Sequence, residues 1–160
     1  MKYYLSLGSN VGNRLTYLQQ AVYQISQYAS VLTKSALYES TPVGTVQQPN
    51  YLNALCMIQY EQNAFRLLRK LKFIESHLGR KKTYRRGPRE IDIDIIDCEG
   101  AAIQSEILNI PHEQMTRRKF VLLPLAEVDP DYKSRDGQDI QRLLKSCSQV
   151  DSVYRFREQW

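Results

Sequence analysis

Cysteine is scarce in this chain, and the three present, Cys56, Cys98 and Cys147, are far apart and odd in number. With no C-x-x-C pair, a disulfide framework and a thiolate zinc site are both excluded. They read as isolated reduced thiols filling small apolar spaces. Histidine is scarcer, with His77 and His112 alone, and neither has a second His or Cys at zinc-ligand spacing. No apolar run is long enough to span a bilayer. The opening residues Met1-Lys2-Tyr3-Tyr4-Leu5 enter a strand pattern without an apolar leader segment, so the expected location is the cytoplasm. There is no G-x-x-x-x-G-K-[ST] loop and no protein-kinase motif set. Gly8-Ser9-Asn10 lacks the glycine spacing of a dinucleotide fold.

What remains is an ordinary composition with an uneven charge. A length of 160 residues fits one domain, residues 1–160, and 42% hydrophobic with 24% charged residues is typical of a globular protein. The net charge is +5. Six of the 22 Lys and Arg residues are Arg80, Lys81, Lys82, Arg85, Arg86 and Arg89, and Arg117, Arg118 and Lys119 follow one another. No acid interrupts either stretch. Such clusters suit a phosphate-rich partner, a nucleotide or a nucleic acid.

Period and punctuation predict the elements. Residues 2–7 alternate as a strand, and Leu15, Leu18, Val22 and Ile25 predict a helix over about 14–28. Residues 31–40 read as one strand, 41–50 as a loop shaped by Pro42, Gly44 and Pro49, and 51–60 as a third strand. Leu67, Leu68, Leu71, Ile74 and Leu78 mark a second helix that ends on Gly79. Its cations Arg66, Arg69, Lys70 and Lys72 read as a solvated face, and His77 as a surface residue. Residues 91–96 form a fourth strand. A short strand near 101–103, helical stretches near 116–125 and 139–146, and a strand near 150–156 complete the chain. The order predicts an α+β, ferredoxin-like (split βαβ), mostly antiparallel sheet with helices on one face. Additional C-terminal elements make it a three-layer variant.

The segment richest in chemistry is Gly87-Pro88-Arg89-Glu90-Ile91-Asp92-Ile93-Asp94-Ile95-Ile96. Alternation turns Ile91, Ile93 and Ile95 to one face and Asp92 with Asp94 to the other, their Cα atoms roughly 6.5–7 Å apart. An isolated D-x-D on a strand is more often a solvated polar face. Here it follows six cations. Two adjacent carboxylates repel unless a cation sits between them, and Mg²⁺ takes one or two carboxylates and completes its shell with phosphate and water. Arginines beside such a site neutralise charge on a transferred phosphoryl group. Tyr51 with Asn53 offers a ring to stack on a flat heterocycle and an amide to read its edge. Alone, both residues read first as packing, a strand tyrosine and a satisfied buried amide. His112, after Pro111, suits a hydrogen bond to a nucleotide.

Together these segments resemble one family, the 6-hydroxymethyl-7,8-dihydropterin pyrophosphokinases of folate synthesis. The carrying residues are Leu7-Gly8-Ser9-Asn10, Thr41-Pro42-x-Gly44, Tyr51-Leu52-Asn53-Ala54, Gly79-Arg80, Gly87-Pro88-Arg89-x-Ile91-Asp92-Ile93-Asp94-Ile95, Ile110-Pro111-His112 and Arg118-x-Phe120. They follow the family's order over about residues 5–125. The resemblance implies transfer of the pyrophosphoryl group of ATP to the hydroxymethyl oxygen of the pterin, with release of AMP. It implies that Asp92 and Asp94 hold two Mg²⁺ ions. Arg80, Lys82 and Arg89 would meet the phosphates, with Arg80 and Arg89 joining the Asp pair as catalytic residues. Glu75, Ile95, His112 and Arg118 would complete the ATP site. Thr41, Pro42, Gly44, Tyr51, Asn53 and Phe120 would line the pterin pocket. Arg86 stands where many members carry Trp, and Ile107 near where some carry an arginine. The expected partners are the two small molecules, with neither nucleic acid nor membrane, and a monomer is the expected state. The competing reading is a basic ferredoxin-like nucleic-acid-binding module. No RNP-type aromatic pattern supports it.

Overall fold

A computed structural model of the chain describes residues 1–42, 47–81, 87–100, 102–148 and 152–160. Gly44 of the expected pterin loop, Lys82 of the expected phosphate contacts, and Arg86 lie outside these residues. The elements run β1 (Lys2–Ser9), α1 (Arg14–Ser26), β2 (Ser30–Lys34), β3 (Leu37–Ser40), β4 (Tyr51–Gln59), α2 (Ala64–His77) and β5 (Asp92–Cys98). Then follow β6 (Ile103–Gln104), β7 (Asn109–Ile110), a 3₁₀ turn (Met115–Arg117), α3 (Lys119–Val128), α4 (Ile140–Ser146) and β8 (Val153–Arg157). Local chemistry sets the helix ends. Asn13, Asn63 and Asp139 accept hydrogen bonds from the amides of Thr16, Arg66 and Arg142, satisfying donors that a helix start leaves open. Gly79, at φ +87°, ends α2 in the left-handed conformation that favours glycine.

The main sheet has the order β5-β1-β4-β3-β8, with β2 also paired to β4, and every pairing is antiparallel. Its first four positions are the ferredoxin-like order expected from the sequence. The stretch 31–40 is two strands instead of one. Ser35 interrupts it: its amide donates to the Leu55 carbonyl at 2.9 Å, and its hydroxyl accepts from the Leu55 amide at 3.0 Å. The side chain thus stands in for a backbone acceptor, and the ladder breaks there.

Alternation divides the sheet cleanly. Tyr3, Leu5, Leu7, Ala54, Cys56, Ile58, Ile91, Ile93 and Ile95 face α1 and α2, where Leu18, Ala21, Ile25, Leu67, Leu71 and Ile74 close one core. Tyr4, Leu55 and Ile96 face the other way and are covered by Val121, Leu122, Leu125, Ile140 and Leu143 of α3 and α4. Helices therefore cover both faces, which corrects the one-face expectation and agrees with the three layers. The second cover is partial. At the end of the sheet carrying Ser6, Gly8, Asn53, Asp92 and Asp94, the face that α3 and α4 cover elsewhere opens into a cleft.

Candidate active site

The cleft has a volume of about 260 Å³, and its floor is a pair of cross-strand rows. Gly8 pairs with Asn53 on one side and Asp92 on the other; Ser6 pairs with Leu55 and Asp94. With strands roughly 4.8 Å apart, Asn53 and Asp92 stand about 10 Å from one another across a residue with no side chain. β1 thus places Gly8 between an amide and a carboxylate, and the small Ser6 beside Asp94. A Cβ on Gly8 would stand 3.4 Å from Asn53 Oδ1 and 3.7 Å from the Tyr51 ring. The free protein accommodates that contact, and the lost space comes from the cleft. Gly8→Ala is expected to raise KM for the heterocyclic substrate about tenfold while Tm stays within about 2 °C. Steady-state kinetics beside a melting curve checks this.

Asp92 and Asp94 project into the cleft as the alternation requires. Asp92 is faced by two guanidinium groups. Arg89 Nη1 bonds its Oδ2, and Arg80 Nη1 stands 2.8 Å from its Oδ1. Oδ1 is buried and receives no hydrogen bond of acceptable geometry, despite that close cation. Arg80 also pairs with Glu75, which is only 3% exposed. Glu75 Oε1 accepts from the Ile93 amide at 2.7 Å and from Lys72 Nζ at 2.8 Å. Burial pushes the Glu75 carboxyl above its ordinary value, against the pull of Lys72, the Ile93 amide and Arg80. Lys72 Nζ also donates to the Ile93 carbonyl at 3.2 Å and lies 3.7 Å from Asp94 Oδ1. Lys72 does lie on the solvated face, with its side chain 43% exposed, but its ammonium is not a free surface charge. It wraps the outer edge of β5 and joins the site.

Asn10 ties the cleft's two flanking loops together. Its Oδ1 accepts from the Arg89 amide at 2.8 Å, and its own amide donates to the Arg89 carbonyl at 3.0 Å. Its Nδ2 donates to Gln48 Oε1 at 3.0 Å and to the Pro49 carbonyl at 3.1 Å. One buried side chain thus fixes the backbone under Arg89 and the end of the loop that begins at Thr41. Asn10→Ala strands buried partners on both sides, a loss of about 2–3 kcal/mol. Tm is expected to fall by about 5–10 °C, and KM for both substrates to rise together. An unchanged Tm would contradict the staple.

The far wall comes from the segment after Pro111. Gln114, Arg117, Arg118 and Phe120 line the cleft, and the Arg118 guanidinium lies 5.7 Å from the Phe120 ring centre. The His112 amide donates to the Ile96 carbonyl at 2.8 Å, and its Nδ1 accepts from the Gln114 amide at 3.0 Å. Burial lowers the His112 pKa below its ordinary value; Asp94 opposes that and Arg118 adds to it. With Nδ1 accepting from Gln114, Nε2–H is the ring's remaining donor.

Of the expected site residues, Thr41, Tyr51, Asn53, Arg89, Asp92, Asp94, Arg118 and Phe120 meet in the cleft. Glu75 and Arg80 join through Asp92. Pro42 follows Thr41 without lining the cleft. Ile95 turns its side chain into the core against α1 and α2, so any part it plays toward a nucleotide falls to its backbone. Ile107, near the position of an arginine in some members, is 71% exposed. Ser6, Gly8, Ser40, Gln48, Gln114 and Arg117 also line the cleft without having been expected there. The signal for Ser6 and Gly8 was the pair of small residues on one face of an otherwise bulky strand.

Comparison with known proteins finds relatives in sequence and in fold. The profile of the family 7,8-dihydro-6-hydroxymethylpterin-pyrophosphokinase (HPPK) matches residues 4–130. The chain is 46% identical over 155 residues to the 2-amino-4-hydroxy-6-hydroxymethyldihydropteridine pyrophosphokinase of Bacillus subtilis, covering 92% of this chain and 93% of that one. It is 38% identical to the protein of the same name from Haemophilus influenzae, covering 89% and 90%. It is 41% identical to the folic acid synthesis protein fol1 of Schizosaccharomyces pombe over 80% of this chain, and spans 18% of that longer protein. In structure it superposes on wild-type Plasmodium falciparum HPPK-DHPS with pteroate at a TM-score of 0.71 and 16% identity. That match covers 90% of this chain and 42% of the other, and it speaks for the fold alone. The chain belongs to the HPPK family.

Proposed function

We propose that this chain transfers the pyrophosphoryl group of ATP to the hydroxymethyl oxygen of 6-hydroxymethyl-7,8-dihydropterin and releases AMP. The observation that carries the reading is the floor of the cleft. Gly8 separates an amide made for a heterocycle edge, Asn53, from a carboxylate pair ringed by arginines.

On the pterin side, Asn53 Nδ2 is already committed. It donates to Ser40 Oγ at 2.9 Å and to the Tyr38 carbonyl at 3.3 Å. The amide is thereby held in one orientation, with its oxygen toward Gly8, ready to accept from a ring N–H. Phe120 and Tyr51 provide apolar walls against which a flat ring stacks. On the nucleotide side, Arg80, Arg89 and Arg118 provide forked cations for phosphate oxygens, and His112 provides a hydrogen-bond donor.

Asp92 and Asp94 suit Mg²⁺. They are hard oxygen donors on one face, and Asp92 Oδ1 is a buried acceptor without a hydrogen bond. Among the described residues no group of three or more His, Cys, Asp or Glu is placed to hold a metal, which fits an ion that draws its remaining ligands from phosphates and water. The two residues would hold two such ions, whose chemistry is to neutralise and align the phosphate chain. For either ion to meet Asp92, at least one guanidinium must leave that carboxylate. On this reading Arg80 and Arg89 would exchange that carboxylate for the phosphates as ATP arrives. With the pterin held at Asn53, its hydroxymethyl oxygen bonds to the β-phosphorus. The bond from that phosphorus to the bridging oxygen breaks, AMP leaves with that oxygen, and the hydroxyl proton is released. The arginines stabilise charge on the group in transit.

A nucleic-acid-binding module would present aromatic rings on the central strands. Here those positions are Ser6, Gly8 and Asn53, beside two carboxylates, so the floor favours the enzyme. We further place the chain in the cytoplasm as a monomer of one domain. No disulfide joins Cys56, Cys98 and Cys147, as in a reducing compartment. Among the described residues no helix is long and apolar enough to cross a membrane.

The test is product identity. With ATP, Mg²⁺ and the pterin, mass spectrometry is expected to find AMP and a pterin carrying two phosphates in equal amounts. ADP with a monophosphorylated pterin, or nucleotide breakdown indifferent to the pterin, would refute the reading.

A further inference from the structure

The charges around β5 form one alternating path. Asp94 lies 3.7 Å from Lys72, Lys72 lies 2.8 Å from Glu75, Glu75 pairs with Arg80, Arg80 lies 2.8 Å from Asp92, and Asp92 pairs with Arg89. Glu75 is the pivot. It is the most deeply buried charge in the path, with two cations and one backbone amide to compensate it. A buried carboxylate that loses its only cation is strongly destabilised. On the proposed function Arg80 turns from the carboxylates to a phosphate, and that movement strips Glu75 of one of its two cations.

We propose that Lys72 is a positioning residue for this reaction: it holds Glu75 compensated while Arg80 moves. The placement fits that work. The ammonium is anchored twice, on Glu75 Oε1 and on the Ile93 carbonyl, whose own amide also bonds Glu75. Glu75 and Lys72 together thus satisfy both backbone groups of Ile93 on the outer edge of β5, between the two aspartates. Among the described residues, no backbone group is seen to hold the Arg80 side chain, whose pairs are the carboxylates of Glu75 and Asp92. Without Lys72, Arg80 is the last cation at Glu75 and is retained there, away from the nucleotide. The Lys72 stem, which lies along the α2 surface, makes no contribution to the main core.

This inference rests on the proposed metal–nucleotide site, and the experiment separates the two. A non-hydrolysable ATP analogue with Mg²⁺ is titrated into the full chain as wild type, Lys72→Met, Lys72→Arg, Glu75→Gln, and the Lys72→Met/Glu75→Gln pair, with a melting curve for each. Wild-type binding tests the site itself; its absence refutes the proposed function. The variants test Lys72. Lys72→Met is expected to weaken binding about tenfold, with Tm within about 3 °C. Lys72→Arg is expected to restore it to within about threefold. Glu75→Gln is expected to cost less binding in the Lys72→Met background than in wild type, because it removes the stranded charge. Should Lys72→Met melt early, the double variant, which lacks that charge, carries the comparison against Glu75→Gln alone. Wild-type affinity in Lys72→Met, or effects of the two substitutions that simply add, would make Lys72 a solvated helix cation and overturn the inference.

Discussion

Replacing Asp92 and Asp94 together by alanine is expected to lower turnover at least about a thousandfold, a loss of the size seen when charge-stabilising groups leave an active site. The effect on folding is expected to be small and separable. Both carboxylates line the floor of the cleft, and the core behind β5 is built from Ile91, Ile93 and Ile95 on the opposite face. What the substitution leaves behind is a surplus of cations. Arg80 keeps Glu75, and Arg89 is freed toward solvent. Tm is therefore expected to move by no more than about 3 °C. A collapse in Tm would mean that the pair is part of the scaffold, and a modest loss of turnover would mean that it is only a polar strand face.

Arg89→Ala is the second large effect. Its backbone is fixed at both the amide and the carbonyl by Asn10, so its side chain is the moving part on a rigid mount. That side chain neutralises Asp92 in the free protein and, on the proposed reading, the phosphates in the complex. Its removal is expected to cost about 10²–10³ in kcat with a smaller rise in KM for ATP. Lysine is expected to restore little of this, because a point charge does not reproduce the planar fork. A loss confined to KM would instead assign Arg89 to ground-state binding.

The sequence made much of this legible, and each success has a physical reason. A strand puts every second residue on one face whatever surrounds it, so Asp92 and Asp94 could be paired from spacing alone. The end of α2 could be read from Gly79, because few other residues adopt positive φ. The failures share a cause as well. Lys72 falls beside the buried stripe of Leu67, Leu71 and Ile74 and reads as solvated, which its 43% exposed side chain bears out; its ion pairs are what the pattern omits. Its reach around the edge of β5 is a tertiary fact that helical period does not contain. Glu75 lies four residues from Leu71 and three from Lys72, and that i, i+3 pair was the available clue. Asn10 sat in an evident turn, yet its four hydrogen bonds join segments 38 to 79 residues away. Ser35 broke a strand that composition alone would extend. Helices α3 and α4 were foreseen as elements, but not the face they would cover. That depended on Tyr4, Leu55 and Ile96 being apolar where Ser6, Gly8 and Asn53 on the same face are not.

The proposed function requires a nucleotide bound through metal at the Asp pair, and one calorimetric titration tests that most directly. A non-hydrolysable ATP analogue is titrated into the wild-type protein with Mg²⁺ and again with a chelator. The account predicts saturable binding with Mg²⁺ that is lost, or weakened at least about a hundredfold, under chelation. Equal binding in both conditions would place the nucleotide on the arginines alone and contradict the metal site.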